Sequence, residues 1–349
     1  MSRFFVIILL LLLLLPVRVK AEAMEFTAPS VPEQGRDFMP AETESFAEGL
    51  WHVIKAAIGA MKPELAQAAG NCFALIAVVL LAALLENFNE MSKQVVELVG
   101  VLSVGCLLLE SSNSLVRLGV QTVEEMSQYG KLLLPVMTAA LAAEGGVTAS
   151  AALYTGSALM LTLLSSAVSG LIVPMLWIYL CLCVGNNTIG ETVLKNLRDF
   201  VKWLMTWTLK IILYVFTGYM GITGIVSGTT DAAALKATKL TISGVVPVVG
   251  GILADASEAV LVGAGVMKSA AGVYGLLAIL SICIGPFVKI GVQYLLLKAT
   301  AGICSVFGAK RPVQMIRDFC GVMGFSVAMT GTVCMLLMIS TVCFMRGLN

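Results

Sequence analysis

Charge is scarce in this 349-residue chain: Lys, Arg, Asp and Glu together make 12% of it, where soluble domains average about a quarter. That scarcity excludes an ordinary soluble domain. The formal net charge of +1 offers no basic field for nucleic acid. Histidine is scarcer still, with His52 alone, and imidazole is the usual base and metal ligand near neutral pH. Neither HExxH nor GxSxG occurs, so zinc-peptidase and serine-hydrolase chemistry lack their residues. The nine cysteines contain no CxxC, and most sit in apolar stretches, where they read as small packing residues. Gly263 to Ser269, GAGVMKS, echoes a phosphate loop but lacks the glycine directly before Lys268, so the phosphate cradle does not form. Composition and motifs therefore imply no enzyme, no cofactor and no metal site.

Hydrocarbon is what the chain has in excess. Hydrophobic residues make 58% of it, mean hydropathy is +0.95, and apolar runs suited to a bilayer core of about 30 Å recur. The expected fold class is all-α: a polytopic transmembrane helical bundle whose first partner is the lipid bilayer. Arg3 precedes an apolar core from Phe4 to Leu15, closed by Pro16. That core is too short to span and suits a signal peptide. Ala21-Glu22-Ala23 sets cleavage after Ala23, giving a signal peptide over 1–23. Arg18 and Lys20 leave an uncleaved anchor as the alternative. Residues 24–66 form a short acidic extracytoplasmic segment, ending in an amphipathic helix marked by Phe46, Leu50, Val53, Ala57 and Met61.

The membrane domain is expected over 67–349. Asn71–Leu85 and Val95–Leu109 read as an apolar pair, followed by a polar connector with Glu110, Ser111, Glu124 and Glu125. Lys131–Leu141 reads as a half-helix or short span, and Ala149–Val184 as two helices turning near Gly170 or Pro174. Trp203–Val226 is a span with Trp203 and Trp207 as interfacial anchors. Its far end carries Gly221, Gly224 and Gly228, small residues that let helices approach closely. Gly321–Met345 is the last span. Basic residues concentrate in Glu191–Lys202 and Lys298–Asp318, which marks both as cytoplasmic loops.

The stretch from Thr241 to Lys298 organises the rest. It is apolar, yet it holds Asp255, Glu258, Lys268 and Lys289, with Pro247, Gly250, Gly251 and Pro286 as expected helix breaks. One charge at bilayer depth costs roughly 2.5–3.5 kcal/mol even on the lenient insertion scale, so these groups need shelter from protein or water. Three apolar segments separate the two basic loops, and three crossings would put the second loop on the wrong side. A broken or re-entrant region near 241–266 resolves the parity, since irregular backbone at depth survives only inside protein or beside water. Two functional classes remain: a membrane component of a transport or secretion assembly, with these four charges in its working interior, or a stand-alone secondary transporter. The latter favours an internal repeat, and none is evident. The bland alternative puts Asp255 and Glu258 at the interface, with Lys268 snorkelling.

The run VVPVVGGILADASEAVLVGAGVMKSAAGVYG followed by CIGPFVKI resembles the stage III sporulation protein AE family of endospore-forming bacteria. The resemblance implies a role rather than a reaction. A family member is encoded with other stage III A operon membrane proteins and sits in the mother-cell membrane surrounding the forespore. There it is expected to join a secretion-like channel complex with ring-forming subunits, an ATPase companion and, indirectly, stage II sporulation protein Q. Such a complex supports forespore development and late forespore gene expression.

Overall fold

The computed structural model describes residues 29–40, 45–88, 93–143, 147–190, 192–222 and 270–347. No strand occurs among the described residues, and the helices are long. A single turn, α1 (Glu33–Arg36), precedes α2 (Phe46–Phe88) and α3 (Lys93–Ala143). Then come α4 (Val147–Ala167), a π turn (Val168–Ile172) and α5 (Val173–Ile189). The bundle is completed by α6 (Thr192–Ile222), α7 (Ala270–Cys304), a 3-10 turn (Ser305–Phe307) and α8 (Lys310–Gly347). Six stretches are long and apolar enough to cross a membrane, with α4, the π turn and α5 forming one of them. The chain is a multi-pass, all-α membrane bundle.

Several expected boundaries dissolve into these rods. The amphipathic helix and the first apolar segment are one helix, and the limit drawn at residue 66 falls inside α2. The polar connector of residues 110–131 is not a loop but the middle of α3. With 51 residues, α3 is about 76 Å long at 1.5 Å per residue. The hairpin expected over Ala149–Val184 is also replaced by a continuous path. Ala167 and Val173 both keep right-handed helical dihedrals. Pro174 cannot donate to the turn before it, and the backbone widens locally to a π turn rather than reversing. Glu191–Lys202, expected as a loop, is mostly the first turns of α6. Pro286, expected as a break, lies inside uninterrupted α7. Proline is tolerated in packed membrane helices because neighbours and local adjustment satisfy the freed carbonyl.

Real reversals occur where glycine allows them. Gly190 (φ 80°) ends α5 and Gly308 (φ 85°) precedes α8. Both sit in the left-handed region that side chains resist, at one end of the bundle. There Arg311 binds Glu97 at 3.2 Å and donates to the Thr188 carbonyl at 3.1 Å, so this is the basic end. At the far end, Gly272 lies against Met345, and the Tyr219 hydroxyl donates to the Ala152 carbonyl at 2.9 Å. Ile222 and Ala270 therefore lie at the same end. Two described crossings, α6 and α7, separate the two basic segments and bring them to one side. Residues 223–269, including the re-entrant region expected near 241–266, lie outside the described residues.

The centre of the bundle is α8. It packs against α3, α4, α5, α6 and α7, and 94% of its most apolar stretch is buried, against 67% for α7 and 28–39% for the other four spans. Close approach follows from small residues: a Cβ at Gly119 would meet Met329 Cε at 2.6 Å, and one at Gly130 would meet Leu337 Cδ2 at 2.6 Å. The buried hydroxyls of Ser326, Thr330, Thr332, Ser340 and Thr341 donate back to carbonyls of their own helix. That satisfies each hydroxyl without a partner helix. An opposite, outward stripe on α6 (Leu197, Phe200, Trp203, Trp207, Ile211 and Tyr214) is exposed, as lipid contact requires.

Candidate functional site

Halfway along the bundle, α2, α3 and α7 part to leave a half-open cavity of about 800 Å³. Each helix presents a polar ladder to it at a spacing of three or four residues, which puts side chains on one face. From α2 come Glu64, Gln67 and Asn71; from α3, Glu110, Ser111 and Ser114; from α7, Lys289 and Gln293. Lys289 Nζ binds Glu64 Oε1 at 3.0 Å, and the two side chains remain 48% and 26% exposed. At 1.5 Å per residue, Lys289 stands about 28 Å from one end of α7 and about 22 Å from the other. Gln293, one turn on, is 5% exposed, and its Nε2 has no hydrogen-bond partner. Glu110 and Cys106 are exposed on the α3 wall.

The N-terminal segment closes over α7 near this cavity, toward the far end. Gly35 lies so near α7 that a Cβ there would be 2.9 Å from Ile282 Cγ1 and 3.0 Å from its backbone nitrogen. Phe38 fills the notch above Gly285, where a Cβ would meet its Cε2 at 2.9 Å. Gln34 Nε2 donates to Glu125 Oε1 at 2.9 Å, and Gln121 donates to the same oxygen. Part of the segment expected to lie outside the membrane thus docks on the bundle, one helical turn from Lys289.

A second polar cluster lies toward the basic end, between α5, α6 and α8. Asp318 accepts from Arg198 Nη1 at 3.2 Å on both oxygens, from Asn187 Nδ2 at 2.8 Å and from Gln314 Nε2 at 3.0 Å. Arg198 also donates to Asp199 Oδ1 from Nε and Nη2. Arg198 and Asp318 are 8% and 4% exposed as residues. Buried charges of this kind persist only when paired and hydrogen-bonded, and every partner needed is supplied here.

Of the expected site residues, Lys289 lines the cavity, and Pro286 lies one turn from it within α7. Gly221 is in the last turn of α6. Asp255, Glu258, Lys268, Pro247, Gly250, Gly251, Gly224 and Gly228 all lie outside the described residues. Sequence reasoning missed Glu64, Gln67, Asn71, Glu110 and Gln293. Their signal was a polar residue every third or fourth place in otherwise apolar helices.

Six apolar spans with a half-open polar cavity between α2, α3 and α7 define an integral membrane protein. Residues 38–347 match the family described as Stage III sporulation protein AE, and the chain belongs to that family. It is 20% identical over 202 residues to the Stage III sporulation protein AE of Bacillus subtilis (strain 168), covering 58% of this chain and 51% of that relative. The match thus spans about half the length of the relative. No solved structure matches the chain.

Proposed function

We propose that this protein is an integral membrane component of a sporulation-specific secretion or channel complex joining mother cell and forespore. Its place is the mother-cell membrane around the forespore, with the basic end of the bundle cytoplasmic, as the positive-inside rule requires. In this reading it works with other stage III A operon membrane proteins, ring-forming subunits, an ATPase companion and, indirectly, stage II sporulation protein Q. It supplies no catalysis of its own. Family membership supports the sporulation role, and the observation that carries the channel reading is the polar cavity around Lys289 and Glu64. A charge held at that depth is a functional residue by default. Asp255 and Glu258, which lie outside the described residues, are proposed as further polar residues of the pathway.

The test is complementation in an endospore former. Lys289→Met, and separately Asp255→Asn with Glu258→Gln, should lower heat-resistant spore counts while the protein accumulates normally in membranes. Normal spore counts in both would sink the channel reading. The cavity also suits a stand-alone secondary transporter. Solute movement into vesicles that contain the purified protein alone would favour that alternative.

A further inference from the structure

We propose that the mid-bundle cavity binds a small zwitterion, a solute bearing a primary ammonium and a carboxylate, as a free α-amino acid or short peptide does. This rests on reading the cavity as the working interior, and it names the chemistry that interior recognises. The α7 wall offers donors. The Lys289 ammonium has three N–H groups and makes one ion pair, to Glu64. Gln293 Nε2, one turn away on the same face, is 95% buried and has no hydrogen-bond partner. A buried donor left unmatched is costly, and a ligand acceptor beside Lys289 would satisfy it. A carboxylate can bridge the ammonium and the amide.

The α3 wall offers the opposite charge. Glu110 lines the cavity without an ion pair among the described residues, and Ser111 and Ser114 stand beside it. A carboxylate with neighbouring hydroxyls suits an ammonium group. Glu64 shares the charge of Lys289, and Glu110 carries the third charge of the lining. A molecule charged at both ends therefore finds a partner on each wall, and a simple cation, which meets Glu110 alone, is the competitor the test must separate. The volume of about 800 Å³ falls within the roughly 300–1,000 Å³ of ligand sites, which leaves room for more than one residue of a peptide.

Cys106 is an exposed thiol in the cavity wall, and it gives the readout. Full-length protein carrying Cys181→Ser, which removes the other exposed thiol, would be purified in lipid nanodiscs. Its Cys106 would be modified with sulfonatoethyl methanethiosulfonate in the presence of glycine, triglycine, glycolate, ethanolamine or glycerol. Glycine or triglycine at about ten times Kd should slow modification about tenfold. Glycolate, ethanolamine and glycerol at equal concentration should not. Protection by glycine alone assigns a free amino acid, and protection by triglycine assigns a peptide. Lys289→Met and Glu110→Gln should each abolish protection while Cys106 stays reactive without ligand. Glu110 is exposed, so its variant tests the claim even if Lys289→Met misfolds. Equal protection by every solute, protection by none, protection that survives Glu110→Gln, or an unreactive Cys106 would overturn the proposal. The readout is binding to isolated protein, so its failure leaves the spore-count test of the channel reading standing, and the reverse also holds.

Discussion

Arg198–Asp318 and Lys289–Glu64 are both inter-helix ion pairs in the same oily bundle, yet their surroundings are opposite. The first pair has side chains 10% and 5% exposed and lies where α5, α6 and α8 meet. The second is 48% and 26% exposed and forms part of a cavity wall. In the dry cluster Asp318 accepts from three residues, which ties three helices together. In the half-exposed one, Lys289 keeps donors to spare and Gln293 Nε2 has no partner. Desolvated charge with every partner supplied fastens helices; charge on an open cavity wall stays available to a ligand.

The comparison breaks most sharply at Asp318. Replacing it by Ala leaves buried Arg198 with only the half-exposed Asp199 as counter-charge, and removing one partner of a buried pair costs up to about 3–5 kcal/mol. The thermal midpoint of the solubilised protein should fall steeply and membrane accumulation with it. Arg198→Leu with Asp318→Leu together should recover most of that loss, since apolar replacement of both partners is often neutral. An unchanged midpoint for Asp318→Ala would show that the cluster is not a fastener.

A smaller effect is expected where the N-terminal segment meets α7. Gly285→Val places a branched side chain against Phe38, and overpacking of this kind costs typically about 1–3 kcal/mol. The segment should detach, read as faster trypsin cleavage after Arg36, while the rest of the bundle keeps its midpoint. Cleavage at the wild-type rate would mean that the docking does not depend on this notch.

Lys289→Met sharpens the contrast from the other side. A half-exposed pair contributes about 0–1 kcal/mol, so the midpoint should barely move although spore counts fall. A large loss of stability would make Lys289 a fastener like Arg198. The smallest effect belongs to Asp199→Asn. Asp199 is 52% exposed beside Arg198, and its loss should cost at most about 0.5 kcal/mol, vanishing at high salt.

Much of this arrangement was legible in the sequence. Apolar runs located the membrane segments, although they divided Lys93–Ala140 and Ser150–Ile189, each a single span, and basic residues gave the shared end that Arg311 and Glu97 now mark. Lys289 was among the four charges in an apolar stretch that needed shelter from protein or water. The long rods were less legible, because Glu110 to Lys131 looks like a connector when read as composition. It is helical throughout, with Glu110, Ser111 and Ser114 on the cavity and Glu125 on the docked segment, while Arg117, Glu124, Gln128 and Lys131 stay exposed. The cavity itself was hidden for a related reason. Its ladders are weak on each helix, and only packing brings Asn71, Glu110 and Gln293 together. Hydropathy also could not single out α8 as the centre, since lipid and protein interior are alike apolar. The Ser, Thr and Gly content of α8 was the available hint.

The place of α8 has a consequence for biogenesis. The ribosome releases the other five spans before α8, against which α3 to α7 pack, has been synthesised. Before Lys310–Gly347 enters the bilayer, α2, α3 and α7 can already pack on one another, but the faces of α3 to α7 that α8 covers stay open to lipid or to the insertion machinery. Assembly is then completed late, when the final segment fills the space those faces share.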